Sequence, residues 1–213
     1  ETEHIPFNFF APLKYKLKLA KDIFSQAFGL DIKTITRVKL EYAPKPKDQY
    51  LNDSTSFDTY IQYISPTNEL SGIGIEVKYT EHSYKIGDTE KANVENPDSR
   101  YWTLTKKSGI FIESQFDKLV EDDMRQIWRN HLLGISMIEN KDIKKFTSVI
   151  VYPSGNAHFN KVIPEYQSIL TDNNKNTLIG CAFEKYIDSI QDDDPKIIKW
   201  KNYLDIRYIV REK

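Results

Sequence analysis

The chain has 213 residues, of which 39% are hydrophobic and 13% aromatic, and its formal net charge is -1. This composition is typical of a folded globular protein, and it excludes a generally basic surface, so a nucleic-acid partner would have to meet a local basic patch. The single cysteine, Cys181, excludes an internal disulfide framework and a cysteine-based zinc cluster.

The first predicted element is a helix over residues 12–28. Apolar residues alternate at the start of this stretch, as they would in a strand, but they also repeat at helical spacing as far as Phe28. Pro12 at the beginning and Gly29 after the end are typical of helix boundaries, and they favour the helix.

Three strands are predicted next, over residues 33–43, 57–64 and 72–81. Each is rich in β-branched and aromatic residues, and the short connections predict an antiparallel meander. The third strand reads GIGIEVKYTE, in which apolar residues alternate with the others. This period of two places Glu76 and Lys78 on the same face of the strand.

The middle of the chain then changes character. Residues 82–108 are polar and predict a long irregular loop, whereas residues 113–138 carry the apolar stripe of a helix. A short and nearly continuous apolar run at residues 146–153 predicts a buried strand.

The last part of the sequence predicts mainly helices. They comprise a segment that starts at Pro164, a helix from about Cys181 to Ile190, and a terminal helix. Pro195 suits the first position of the terminal helix, and Asp194 suits its cap.

Two carboxylates and one lysine form the candidate site. Glu76-Val77-Lys78 lies in a clear strand, and it follows Asp58 of the preceding strand by 18 positions. If the two strands pair, Asp58 lies beside Glu76, and two such carboxylates repel each other unless a cation is present. Mg²⁺ prefers hard oxygen ligands of this kind. The alternative is an amphipathic strand in which Glu76 and Lys78 form an exposed ion pair.

This arrangement resembles the motif of the PD-(D/E)XK nuclease superfamily, in which an acid on one strand is followed by a turn and by an apolar strand that carries Glu-Val-Lys. The order of helix, three strands, helix and strand also resembles its αβββαβ core. The motifs GIEVKYTE and QIWRNHLLG, with the insertion that ends near Tyr101 between them, resemble a restriction-endonuclease-like branch. Phe57 stands where the family pattern has a proline before the acid, although that proline is often absent in the superfamily.

The resemblance implies a fold as well as a motif. That fold is α/β, or α+β by some counts, with a mixed central sheet flanked by helices and with extra C-terminal helices. It implies a single nuclease-like domain over residues 1–213, with a core at about 12–155. An insertion at about 82–110 and a C-terminal helical extension at about 164–213 complete the expected organisation.

The same resemblance implies roles for individual residues. Asp58, Glu76 and the backbone carbonyl of Val77 would bind Mg²⁺, for which Mn²⁺ could substitute, and Lys78 would position the attacking water. Some members of the family use one more acid. Asp22 and Glu41 are both candidates for it, and the sequence does not decide between them.

The predicted helix at residues 113–138 supplies further candidates. Gln126, Arg129 and Asn130 are three or four positions apart and share one face of the helix. By the resemblance, Gln126 or Arg129 would contact a metal-bound water or the scissile phosphate. The alternative is that Arg129 forms a salt bridge with a surface acid and that His131 is packed in the core.

The expected function is that of a metal-dependent endonuclease that hydrolyses DNA phosphodiester bonds, restriction-like or defence-related, and a homodimer is compatible with it. The alternative is a catalytically inactive nuclease-fold module that binds nucleic acid or protein; the complete set of two acids and a lysine argues against it. No apolar run approaches the roughly 18 residues of a membrane helix and no signal peptide is recognisable, so we expect a cytoplasmic protein without a membrane partner.

Overall fold

A five-stranded mixed sheet lies at the centre of the computed structural model, which describes residues 4–80 and 85–210. The strands are β1 (Thr34–Tyr42), β2 (Phe57–Ile64), β3 (Leu70–Val77), β4 (Lys145–Tyr152) and β5 (Leu178–Ala182). They lie in the sheet in chain order. The first three form the predicted antiparallel meander, and β4 and β5 each run parallel to the strand before them. The carboxyl ends of β3, β4 and β5 therefore meet at one edge of the sheet.

Helices cover both faces of this sheet. They are α1 (Ile5–Phe10), α2 (Leu17–Phe28), α3 (Asp88–Glu95), α4 (Arg100–Ser108), α5 (Phe116–Leu119), α6 (Asp122–Glu139), α7 (Ala157–Ile169), α8 (Phe183–Asp188) and α9 (Pro195–Tyr208). Residues of α1, α2, α8 and α9 share one buried apolar cluster with Ile75 and Val149, whereas those of α4, α6 and α7 share another with Phe57 and Phe146. The order α2-β1-β2-β3-α6-β4 confirms the predicted αβββαβ core. No helix among the residues described has both the length and the apolar character needed to cross a bilayer.

The predicted helix at residues 12–28 begins later than expected. Ala11–Tyr15 form a 3₁₀ helix with proline in its first turn, and Lys16, at φ -118° and ψ 58°, separates it from α2. Gly29 ends α2 in the left-handed region at φ 65°, as its sequence position predicted. The proline therefore marks the start of a helical turn, but of a different helix from the one predicted.

The prediction of an irregular loop at residues 82–108 is wrong for the part of it that is described, because α3 and α4 lie there; residues 82–84 fall outside the described ranges. Helix α4 follows an extended Ser99, ends at Gly109 and buries Tyr101 and Leu104. Those two side chains are three positions apart, so they project to the same side of the helix. Such a short apolar pattern is easily outweighed by the polar residues around it.

The helix predicted at residues 113–138 is divided. A 3₁₀ turn and α5 come first, and an extended Glu121 at ψ 147° separates them from α6. This division sets where α6 begins, and hence how its first turns approach the end of β3.

The C-terminal part contains a strand that the sequence did not predict. Cys181 lies in β5, and the helix expected there begins only at Phe183. With five residues and a central glycine, Gly180, β5 is too short to give a clear period of two. The extension is therefore not wholly helical.

In the C-terminal part, two segments were predicted to start at a proline, with opposite outcomes. Pro164 lies inside α7, which instead begins after Asn156, whose side chain accepts the Phe159 N–H at 3.2 Å. Pro195 does begin α9, and the predicted cap Asp194 accepts the Lys196 N–H at 2.9 Å.

Helix α6 packs closely against β4 at Gly134, where an added Cβ would lie 2.0 Å from a ring carbon of Phe146. We expect Gly134→Ala to lower the free energy of unfolding by about 1–3 kcal/mol through overpacking. The clash outweighs the gain of about 1 kcal/mol that alanine brings to a helix interior. Urea unfolding measures the change. Gly155→Ala is the control, since its Cβ would meet nothing within 4 Å; a Gly134→Ala protein as stable as this control would contradict the prediction.

Candidate active site

Asp58 and Glu76 come together at the edge of the sheet where β2 begins and β3 ends. The β2–β3 ladder pairs Thr59 with Ile75, so Asp58 and Glu76 occupy the next opposed positions. Oδ2 of Asp58 accepts the backbone N–H of Val77 at 2.7 Å. The proximity expected from strand pairing is therefore observed, and a hydrogen bond fixes the Asp58 carboxylate against β3.

Three side-chain donors hold the carboxylate of Glu76. Its Oε1 accepts from Nζ of Lys78 at 3.0 Å and from Nε2 of Gln126 at 2.8 Å, and its Oε2 accepts from Nδ2 of Asn130 at 2.9 Å. These contacts leave Oε2 with more free lone-pair capacity than Oε1. Glu76 therefore has a fixed orientation and one oxygen that remains open to a further partner.

Lys78 lies just beyond β3, which ends at Val77 and is shorter than the predicted strand at residues 72–81. The backbone N–H of Lys78 donates to the carbonyl of Val151 at 2.9 Å, which ties this position to β4. The side chains of Lys78 and Glu76 are each only 14% exposed. The alternative of a solvent-exposed ion pair is therefore wrong.

The two carboxylates affect each other's ionisation. Burial, followed by the neighbouring negative charge of Glu76, raises the pKa of Asp58 to about 7, although the Val77 N–H and the Lys78 ammonium oppose this rise. A cation near Asp58 and Glu76 would remove the repulsion that keeps a proton on the pair. The local electrostatics thus favour the uptake of positive charge.

The donor set suits a hard divalent cation. Mg²⁺ in proteins usually takes one or two carboxylates and completes its shell with water and substrate oxygens. Oδ1 of Asp58 and Oε2 of Glu76 retain lone pairs for such an ion. Within the part of the chain that is described, no group of three or more His, Cys, Asp or Glu side chains is arranged to hold a metal. The fit therefore rests on two carboxylates, which is sufficient for Mg²⁺.

Of the two further acids considered, Glu41 is the one near Asp58. The β1–β2 ladder pairs Leu40 with Thr59 and Tyr42 with Phe57, so Glu41 lies across from Asp58. Its charge contributes to the raised pKa of Asp58, and its own backbone is left-handed at φ 49°. The other candidate, Asp22, is exposed on α2, and it takes no part in the hydrogen bonds described for Asp58 and Glu76.

Helix α6 brings some of its candidate residues to the site and directs others elsewhere. Gln126 and Asn130 both contact Glu76. Arg129 instead donates from Nη1 to Oε2 of Glu90 at 2.7 Å and from Nη2 to the Thr55 hydroxyl at 2.9 Å. The structure does not bring Arg129 to Glu76, because its guanidinium turns towards α3.

His131 projects into the protein interior, away from Glu76. Its ring nitrogens lie 3.1 Å from the Tyr166 hydroxyl and 3.1 Å from the Thr177 hydroxyl. Burial lowers the pKa of His131 to about 3, so the ring is neutral at physiological pH. These contacts correspond to the packed histidine that the sequence offered as the alternative.

A small pocket with a cavity volume of about 20 Å³, here called the Glu76 pocket, opens beside these residues. Its lining comprises Glu76, Lys78, Asp122, Asp123, Gln126, Ile127, Asn130, Ser148, Ile150 and Phe159. Asp58 is not part of this lining, so the pocket lies on the side of Glu76 that faces α6. It has room for about one water molecule beside Lys78.

Asn130 and Ser148 are among the residues of this pocket to which sequence reasoning did not assign a role. Asn130 was grouped with Gln126 on one helix face, and its position four residues further on is the signal that could have selected it. Ser148 of β4 also lines the pocket and is only 3% exposed. No pattern in the sequence distinguishes Ser148 from other small residues of buried strands.

A family model described as the PD-(D/E)XK nuclease superfamily matches residues 2–210, which include every strand and helix from α1 to α9. A search of curated proteins and a search of solved structures found no match.

Proposed function

Because the chain belongs to the PD-(D/E)XK nuclease superfamily, we propose that it is a Mg²⁺-dependent endonuclease that hydrolyses DNA phosphodiester bonds. The family supplies the nuclease-type chemistry, and the choice of DNA and of Mg²⁺ is part of the proposal. The observation that carries it is the meeting of Asp58 with the end of β3, where Glu76 and Lys78 form a buried pair. A restriction-like or defence-related role is proposed from the sequence resemblance.

The proposed metal ligands are the carboxylates of Asp58 and Glu76 and the backbone carbonyl of Val77. When bound, Mg²⁺ would polarise the phosphate and lower the pKa of a coordinated water, and Mn²⁺ would substitute for it. The raised pKa of Asp58 supports this assignment, because the pair lacks the positive charge that would fully ionise it.

Lys78 is proposed to orient the attacking water and to stabilise negative charge that develops on the phosphate. Its ammonium contacts Oε1 of Glu76 at 3.0 Å, which keeps it beside the proposed ligand. Because Lys78 is largely buried, its charge acts in an environment of low dielectric constant, where such stabilisation is stronger than in water.

Gln126 and Asn130 are proposed to fix the orientation of Glu76. Hydrogen bonds to metal-ligating carboxylates of this kind typically affect metal affinity or activity by about 10–100-fold. The proposal gives Arg129 a supporting role, since its ion pair with Glu90 holds α6 against α3. This differs from the phosphate contact that the sequence resemblance implied for Arg129.

A plasmid-nicking assay tests the proposed function. We expect the purified protein to convert supercoiled DNA to open-circular or linear forms in Mg²⁺ or Mn²⁺, and to leave it intact in excess EDTA, because removal of the ion leaves the water unactivated. The band intensities on an agarose gel give the rate. If metal-loaded protein binds DNA without cutting it, the catalytically inactive binding module becomes the better description.

A further inference from the structure

A second concavity lies at the carboxyl edge of the sheet, between the ends of β4 and β5. Strand β4 leads into α7 on one face of the sheet, whereas β5 leads into α8 on the other face. Loops that leave neighbouring parallel strands towards opposite faces separate and form a crevice, which is a common location of ligand sites in open α/β sheets. This β4–β5 crevice is open to solvent, has a volume of about 500 Å³ and is lined in part by Tyr79, Gly155, His158 and Glu184.

The crevice adjoins the Glu76 pocket through residues that are consecutive in the chain. Lys78 lines the pocket and Tyr79 lines the crevice, and in the same way Phe159 lines the pocket and His158 the crevice. Consecutive Cα atoms are only 3.8 Å apart. A polymer with a phosphate at Lys78 would therefore place its next unit at the mouth of the crevice.

Hydrogen bonds hold the walls of the crevice in place. Nδ2 of Asn156 donates to the carbonyl of Tyr79 at 3.0 Å. The backbone N–H and the hydroxyl of Ser154 donate to the carboxylate of Glu184 at 3.0 and 2.7 Å. These bonds connect the segments after β3, β4 and β5, so the crevice is formed before any ligand arrives, as in most small-molecule sites.

The lining suits an uncharged planar group better than a phosphate. Among the described residues that line the crevice there is no lysine or arginine, and the one acid is Glu184. Three rings contribute instead, those of Tyr79, His158 and Tyr208. The Tyr79 ring is itself stacked on Phe183, with an interplanar angle of 11°. Aromatic rings in a groove beside a phosphate site are the arrangement on which nucleobases stack.

We propose that the β4–β5 crevice binds an unpaired nucleobase next to the phosphate held at Lys78. The identity of the polymer in this inference rests on the proposed nuclease function. A base inside a duplex is held by pairing and stacking, so only one that has left the helix can enter the crevice. The substrate class that follows is single-stranded or locally unpaired DNA, in preference to a fully paired duplex.

Binding without turnover tests the inference directly. Fluorescence anisotropy in EDTA compares three labelled probes of about 20 nucleotides: a thymidine single strand, a duplex, and a single strand of abasic units with the same number of phosphates. We expect the thymidine strand to bind at least about fivefold more tightly than either of the others, because stacking adds to phosphate attraction. Equal affinity for the thymidine and abasic strands would overturn the proposal.

A variant that fills the crevice separates base binding from general DNA affinity. An added Cβ at Gly155 meets nothing within 4 Å and Gly155 lines the crevice, so we expect Gly155→Trp to place a ring in the crevice and to remain folded. We expect it to remove most of the preference for the thymidine strand and to leave duplex affinity within about twofold of the wild type. Gly87→Trp is the matched control, because Gly87 is equally unobstructed and does not line the crevice.

The outcomes for this inference and for the nuclease proposal are distinct. An unchanged thymidine preference in Gly155→Trp, or an equal loss for all probes, would refute base binding in the crevice. His158→Ala provides a second variant, expected to weaken binding of the thymidine strand alone. A protein that shows the preference but cuts no DNA with metal present would refute the nuclease proposal and support the crevice as a binding site.

Discussion

Glu76→Gln is expected to lose at least about 10³-fold in the rate of plasmid nicking while the protein remains folded. The substitution keeps the size of the side chain, and its amide oxygen can still accept from Gln126, while Asn130 can turn its amide so that its oxygen accepts from the new NH2 group. It removes the charge that a divalent ion requires. Isothermal titration with Mn²⁺ should show the reason, namely that the variant no longer takes up metal. Circular dichroism and thermal unfolding establish that the fold is retained.

Lys78→Met tests the orientation of the attacking water separately from metal binding. It removes the ammonium but keeps most of the side-chain volume, so we expect a loss of about 10²–10³-fold in rate with Mn²⁺ uptake retained. The matched control is Glu69→Gln, which removes an acid that pairs with Lys145 on an exposed surface at the other end of β3. Normal nicking by a purified Glu76→Gln protein, or the same loss in Glu69→Gln, would contradict the proposed site.

Asp58→Asn is expected to stabilise the metal-free protein at pH 8, by an amount on the order of 2 kcal/mol. The folded-state pKa of Asp58 lies near 7, well above the value of about 3.9 in an unfolded chain. The folded state therefore binds the proton more tightly, and stability falls as the pH rises from about 4 to about 7. Asparagine is neutral throughout and still offers an oxygen to the Val77 N–H.

Thermal unfolding at pH 4 and pH 8 in EDTA shows whether Asp58→Asn raises or lowers the stability of the protein. The gain in stability should be present at pH 8 and largely absent at pH 4, where Asp58 is protonated in the folded state and about half protonated in the unfolded state. Asp22→Asn on the exposed face of α2 is the control, and it should change little at either pH. A metal-free Asp58→Asn protein that is less stable than the wild type at pH 8 would contradict the prediction.

Mg²⁺ should make the wild type more stable than Asp58→Asn, the reverse of their order in EDTA at pH 8. Mg²⁺ stabilises whichever protein binds it in the folded state, so the wild type should gain in melting temperature and Asp58→Asn should not. Because the ion displaces a proton from Asp58, the affinity of the wild type should also rise as the pH increases towards and through about 7.

The features predicted correctly from the sequence depend on contacts that are close in the chain. The period of two in β3 and the short turn before it were sufficient to pair it with β2 and to bring Glu76 towards Asp58. Gly29 ends α2 because glycine readily adopts the left-handed conformation. Asp194 begins α9 because its side chain accepts a hydrogen bond from the first turn of that helix.

The features that were missed depend on contacts from distant segments. Arg129 and Asn130 are adjacent in sequence, yet Glu90 of α3 attracts one and Glu76 of β3 the other. The existence of α3 itself was not predicted from a stretch with so few apolar residues. The strand β5 likewise depends on the neighbouring β4, with which it pairs at five positions, more than on its own short pattern.

The parallel pairing of β3 with β4 has a consequence for the order in which the molecule assembles. The meander closes only short loops, whereas the first β3–β4 pair joins Ser71 to Lys145, 74 positions apart. Long loops close slowly because chain entropy must be lost before their contacts form. Asp58 and Glu76 could thus meet early, while the amides of α6 that orient Glu76 arrive only after this late closure. During refolding, tight metal binding would then appear only after β3 and β4 have paired, so its time course would report the completion of the fold.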